Sequence, residues 1–143
     1  MTIRKSVTVR CPQERAFALF TREVGSWWPL ERGFSRDRER ANEIFIEDRE
    51  GGRFYERFTD GSESEIGRVI RCEPPTLIAF TFTSPAWDAV TEVEVRFTAE
   101  SGGTRVDLEH RGFEISPQMR ARSERFAEGW SAILGYYVEN ANS

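Results

Sequence analysis

Residues 116–140, SPQMRARSERFAEGWSAILGYYVEN, read as one long amphipathic helix, and the rest of the chain takes its meaning from that reading. Ser116 suits the N-cap and Pro117 the first helical position, where a missing N–H has no intrahelical partner to lose. Apolar residues recur at Met119, Phe126, Trp130, Ile133, Leu134, Tyr137 and Val138, the three-and-four spacing that lines one face of a helix. At about 1.5 Å per residue the helix is roughly 35 Å long, enough to cross a sheet of ordinary strands. Gly129 lowers helix propensity by roughly 1 kcal/mol against alanine, which marks a place where another element comes close. Phe126, Trp130 and Leu134 are plain core wherever no hollow is left beneath them.

Outward from that helix, the chain is mostly strand. Residues 2–10 alternate Ile3, Lys5, Val7 and Val9 against polar neighbours, and Pro12 opens a short helix carrying Ala16, Phe17, Leu19 and Phe20. A second short helical unit runs to Trp27 and Trp28, a pair that belongs to a core or a mouth. Strands are then expected over 42–48, 53–59, 62–72, 76–83, 90–99 and 104–111. Their boundaries are Gly51-Gly52, Asp60-Gly61, Pro74-Pro75, the loop 84–88 and Ser101-Gly102-Gly103. Asp60-Gly61 reads as a two-residue turn pairing Thr59 with Ser62, which puts Glu56 on the face of Gly67 and Val69, opposite Arg68. Hairpins predominate, so the sheet is antiparallel, with one face covered by helix. A curved sheet gripping the long helix satisfies every polarity and can leave a hollow between the two.

Composition narrows the function. At 143 residues the chain is expected to be one domain, residues 1–143, and it is rich in rings, with 11 Phe and 4 Trp. A net charge of -4 argues against a nucleic-acid partner or an anionic membrane surface, both of which need a concentrated positive field. The Arg-dense run 31–40 is interleaved with Glu31, Asp37 and Glu39 and reads as a solvated loop. Without an apolar leader at the N-terminus or a run of membrane-spanning length, a cytoplasmic location is expected. Cys11 and Cys72 are expected as free thiols, and Cys11, just before a helix start, sits where a thiol pKa can be lowered.

The residues also carry a resemblance. Cys11-Pro12-Gln13-Glu14-Arg15-Ala16-Phe17 and Trp27-Trp28-Pro29 resemble the opening of bacterial proteins similar to the activator of heat-shock-protein-90 ATPase. In the same order follow Gly51-Gly52-Arg53-Phe54, Asp60-Gly61, Gly67-Arg68-Val69, Pro74-Pro75, Phe80-Thr81-Phe82, Gly103-Thr104, Leu108-Glu109-His110-Arg111-Gly112-Phe113 and Gly129-Trp130. These proteins are members of the SRPBCC, or START-like, superfamily. The resemblance implies an α+β helix-grip fold of the START-like or Bet v 1-like kind. It has a curved antiparallel sheet of about seven strands, two short helices after the first, and a long C-terminal helix. It also implies a cavity that in various relatives holds small apolar or amphipathic molecules. Phe82 stands where many relatives have Trp, which alters that end of the cavity.

Much chemistry is excluded by what is missing. One His and no Cys/His cluster give no support for a usual zinc site, and no metal or other cofactor is expected. Lys5 is the sole lysine, no glycine-rich phosphate loop precedes it, and no Gly-x-Ser-x-Gly elbow is present. The expected ligand-binding set is Trp27, Trp28, Phe54, Glu56, Phe58, Phe80, Phe82, Phe97, His110, Phe126, Trp130 and Leu134, with no catalytic residue assigned. Within it, His110 reads either as a core histidine satisfied by its neighbours, the commoner fate, or as a ligand contact. Glu56 among rings must be paired or hydrogen-bonded if it is inward. Three functions follow. The first is binding of a small apolar molecule without chemistry. The second is a chaperone partnership suggested only by the family name. The related co-chaperone domain follows a separate N-terminal domain for which this sequence has no room, so such a partner is not expected. The third is a cyclase or aromatase activity, as in some START-like relatives, using His110, Glu56, Tyr55 or Tyr137. An exposed edge strand, or the first strand, offers a route to a homodimer.

Overall fold

A computed structural model describes residues 2–143. Seven strands form one antiparallel sheet in the order β1-β7-β6-β5-β4-β3-β2. They are β1 (Ile3–Val9), β2 (Glu43–Ile46), β3 (Arg53–Arg57), β4 (Glu63–Glu73), β5 (Leu77–Phe82), β6 (Thr91–Glu100) and β7 (Gly103–Arg111). Helix α1 (Gln13–Phe20) follows β1, and helix α2 (Pro117–Ala141) ends the chain. The second short helical unit resolves into two 3₁₀ turns, Val24–Ser26 and Leu30–Arg32. Every consecutive strand pair from β2 to β7 is a neighbour, and β1 closes on β7, leaving β1 and β2 as the sheet's edges.

Period-two alternation builds the inner face: Val93, Val95 and Phe97 of β6 stand beside Val106 and Leu108 of β7, all buried. The sheet bends where β4 carries bulges against both neighbours, one where Phe54 pairs Gly67 and Tyr55 pairs Glu65, the other between Val69 and Arg71. At the first bulge a Cβ on Gly67 would lie 1.7 Å from the carbonyl oxygen of Thr81, so only glycine lets β5 approach there.

One expected turn differs in form. The amide of Phe58 donates to Ser62 O at 2.8 Å and that of Gly61 to Phe58 O at 3.0 Å, so the loop has three residues, with Gly61 left-handed at φ 85°. This shifts the pairing by one, and the bulge with Ile66 shifts it back. Phe54 therefore faces Gly67, Glu56 is buried on the inner face and Arg68 is exposed on the outer one, as the two-residue turn also required.

Helix α2 starts as the sequence dictates: Ser116 Oγ accepts from the amide of Met119 at 3.2 Å, with Pro117 in the first turn. It buries Met119, Ser123, Trp130, Ile133, Leu134 and Tyr137. Tyr137 ties it to α1, its hydroxyl donating to Ala16 O at 2.8 Å while its ring meets Phe20 at 5.3 Å and Trp27 at 5.1 Å. The Cys11 thiol is pushed up by burial, outweighing the nearby Arg15 charge, which corrects the expectation of a lowered value. Among the described residues, no helix is long and apolar enough to cross a membrane.

Candidate functional site

The space between α2 and the sheet is not filled along its whole length. Beneath the N-terminal half of the helix lies a cavity of ≈ 450 Å³. The sheet contributes Glu56 of β3, Ile66 of β4 and Phe82 of β5. Helix α2 contributes Arg122, Arg125, Phe126, Gly129, Trp130 and Ile133, a single stripe at helical spacing. Trp28, the segment 33–36, Ser84 and Trp87 complete the wall. Gly129 faces the loop: the atom nearest a Cβ built there is Phe34 Cε1, at 3.5 Å. The absent side chain is part of the hollow.

The loop is held from two sides. Trp28 Nε1 donates to Phe34 O at 2.9 Å. Glu56, only 1% exposed, accepts from the Ser35 hydroxyl at 2.6 Å through one carboxylate oxygen and from the Arg36 amide at 2.8 Å through the other. A buried carboxylate is thereby satisfied, and Arg36 is folded inward. The expectation that 31–40 is a solvated loop is corrected at this point: residues 33–37 are half-buried and residues 33–36 are a cavity wall. At the outer end of the segment the exposed Arg40 pairs with Asp37 at 2.7 Å and with Asp60 of the turn after β3 at 2.5 Å.

Two of the three arginines on the lining, Arg36 and Arg122, each carry a buried nitrogen with no partner. Arg36 Nη2 donates to Thr83 O, while Nη1 is buried with no hydrogen-bond partner in the protein. Burial lowers the Arg36 pKa from its ordinary value and the Glu56 charge opposes this. Arg122 lies over the Trp87 ring at 5.9 Å, and its Nε is likewise buried and unpartnered. Each unmade hydrogen bond of this kind costs about 1–3 kcal/mol. Sequence reading missed both arginines, because Arg36 lies in a run that looks solvated and Arg122 on a helix position counted as polar.

Of the expected ligand-binding residues, Trp28, Glu56, Phe82, Phe126 and Trp130 line the cavity. Phe54 packs behind it, 5.7 Å from Trp28 and 6.2 Å from Phe82. Phe80 packs on Phe54 at 5.1 Å. Trp27, Phe97 and Leu134 belong to the filled core, and Phe58 is buried under Arg40, whose guanidinium is 5.0 Å from its ring.

His110 is fully buried behind Trp130 and makes a closed chain of hydrogen bonds. Trp130 Nε1 donates to its Nδ1 at 2.9 Å, and its Nε2 lies 2.7 Å from Thr91 Oγ1. The Thr91 hydroxyl gives its proton to Phe82 O at 2.7 Å, so it accepts from the histidine, which fixes the neutral Nε2–H tautomer. Desolvation lowers the His110 pKa to about 3, and a proton on Nδ1 would face the Trp130 N–H. The histidine is thus a buckle between sheet and helix, set back from the cavity. Tyr137 is equally committed, and burial raises its pKa well above the usual range. Tyr55 stacks on Phe45 at 5.1 Å and receives Arg53 at 3.9 Å, away from the cavity lining.

Comparisons with known proteins agree with this architecture. A protein of Mesorhizobium loti, MLL2253, superposes with a TM-score of 0.72 over 97% of this chain and 95% of its own, at 19% identity. The Aha1 dimer from Colwellia psychrerythraea gives 0.69 over 99% and 96%, at 14% identity. These two show the fold alone. An anthrahydroquino-γ-pyrone synthase, Txn09, is 38% identical over 76% of this chain and 75% of its own, with a TM-score of 0.54. A search of curated protein sequences finds no match. The profile of the Activator of Hsp90 ATPase homolog 1-like proteins matches residues 10–136, nearly the whole helix-grip domain, and the chain belongs to that family.

Proposed function

We propose that the protein binds a small, largely apolar molecule in the cavity beneath α2, without a reaction of its own. The observation that carries this reading is the cavity itself, walled by Trp28, Phe34, Phe82, Trp87, Phe126 and Trp130 and kept open at Gly129. Rings left around a hollow this size offer a ligand apolar contact on several sides. Removing the ligand's apolar surface from water drives uptake at about 25 cal/mol per Å². The test is titration with the neutral fluorophore N-phenyl-1-naphthylamine, alongside native mass spectrometry of protein taken directly from cells. One-to-one uptake that is lost in Gly129→Trp supports the reading; no uptake by the parent protein refutes it.

A second reading has one observation in its favour, the 38% identity to a synthase that builds a γ-pyrone ring. Under it, Glu56, the one carboxylate on the lining, takes up or gives a proton during ring closure of an aromatic polyketide-type substrate. His110, with both nitrogens engaged behind Trp130, has no part in it. Loss of turnover in Glu56→Gln with probe binding kept distinguishes this from pure binding. A chaperone partnership rests on the family's name, and no feature of the cavity speaks for it.

A further inference from the structure

The geometry points to a ligand with an ionised oxygen, a flat aromatic carboxylate or enolate whose anionic end is taken by Arg36 and Arg122 while its rings lie along Phe82 and Phe126. This rests on the cavity-binding reading and adds a chemical class to it. Three observations carry it.

First, Arg36 and Arg122 line the cavity from two different elements, the loop and α2, and one nitrogen of each, Arg36 Nη1 and Arg122 Nε, has no acceptor in the protein. Guanidinium N–H groups are donors only, so each needs an oxygen. Second, the one carboxylate of the lining is not free to serve. Both Glu56 oxygens are engaged, by the Ser35 hydroxyl at 2.6 Å and the Arg36 amide at 2.8 Å. Third, the charges on the lining are three guanidiniums, Arg36, Arg122 and Arg125, against the single Glu56. In a chain of net charge -4 this is a local reversal of sign. A cationic cavity in an acidic protein draws in small anions and disfavours cations. The rings around the arginines require the rest of the ligand to be apolar. Arg122 already lies over an aromatic face, that of Trp87 at 5.9 Å, which leaves its edge to donate.

The test pairs two probes that share one ring system, anthracene-2-carboxylate and its neutral carboxamide, each titrated by ring fluorescence into the full chain and into two variants. Arg122→Gln decides, because Arg122 Nε makes no hydrogen bond in the protein whose loss would disturb folding. Arg36→Gln also gives up the donation to Thr83 O and is read beside a thermal melt. The expected result is carboxylate affinity lower by about tenfold or more in Arg122→Gln, with the carboxamide held within about twofold. Equal changes for both probes, or none for either, overturn the inference and leave the cavity reading intact if N-phenyl-1-naphthylamine still binds. Failure of all three molecules to bind the parent protein removes the cavity reading, and this inference with it.

Discussion

The two halves of α2 cover the same sheet with the same kind of residue and end up in opposite conditions. Under the C-terminal half, Tyr137 meets Phe20 at 5.3 Å and Trp27 at 5.1 Å, and Phe20 meets Phe97 at 6.0 Å, so buried rings interlock. Under the N-terminal half, Phe126 meets Phe82 at 5.7 Å and Trp87 at 5.2 Å, and the space next to them stays open. The difference lies in what closes each end. Helix α1 delivers Phe17 and Phe20 to the first; a loop of glycine, phenylalanine, serine and arginine closes the second, opposite a helix position with no side chain. An apolar stripe therefore says that a face is covered, and only the covering element says whether it is core or lining.

The largest expected effect tests that contrast directly. Phe20→Ala opens a cavity where nothing can collapse and should cost about 3–5 kcal/mol in urea unfolding. Phe126→Ala, at a half-buried ring beside existing space, should cost about 1 kcal/mol and show itself in weaker probe binding. Equal costs at the two sites would break the contrast.

Next in size is the clamp that makes the loop a wall. Glu56→Ala strips the acceptor from the Ser35 hydroxyl and the Arg36 amide together, at an expected cost of about 2 kcal/mol. Amide exchange at residues 33–36 should rise far more than at the sheet. Uniform exchange in the variant would mean the loop is held by something other than Glu56.

His110 supplies a pH signature at the seam between the halves. Its folded pKa of about 3 lies below the ordinary 6.5, so the unfolded chain binds the proton first as pH falls. The stabilisation is complete above about pH 6.5 and is lost toward pH 3, at about 1.4 kcal/mol per pH unit. Urea melts between pH 6 and pH 5, above the range of most carboxylates, should show that slope in the parent protein. His110→Gln should flatten it, and an unchanged slope there would assign the titration elsewhere.

How much of this was legible in the sequence follows from the range of each interaction. Period-two strands, the capped long helix and the opposite faces of Glu56 and Arg68 are local patterns, and they could be read. The last came through a turn of the wrong length, since a three-residue loop and the Ile66 bulge cancel. The site was half legible for the opposite reason. Arg36 is turned inward by a carboxylate 20 positions along the chain, and no local pattern reports that. His110 could be narrowed to two roles, but its commitment to Trp130 and Thr91 needs three elements brought together. Trp27 and Trp28, adjacent in sequence, divide between filled core and cavity wall because only the second is turned toward the loop.

The smallest effect separates the two jobs a residue can have at this boundary. Gly129→Ala places a Cβ 3.5 Å from Phe34 Cε1, an ordinary contact, so nothing opposes the gain in helix propensity. The variant should be more stable by about 0.5–1 kcal/mol, read as a small rise in melting temperature. The same methyl group takes volume from the cavity where helix and loop come together, so uptake of N-phenyl-1-naphthylamine should weaken. Opposite signs for stability and binding are what a glycine kept for a hollow predicts. A gain in stability with unaltered uptake would place the working part of the wall elsewhere, toward Phe82 and Trp87, and leave Gly129 as a mere weakness in the helix.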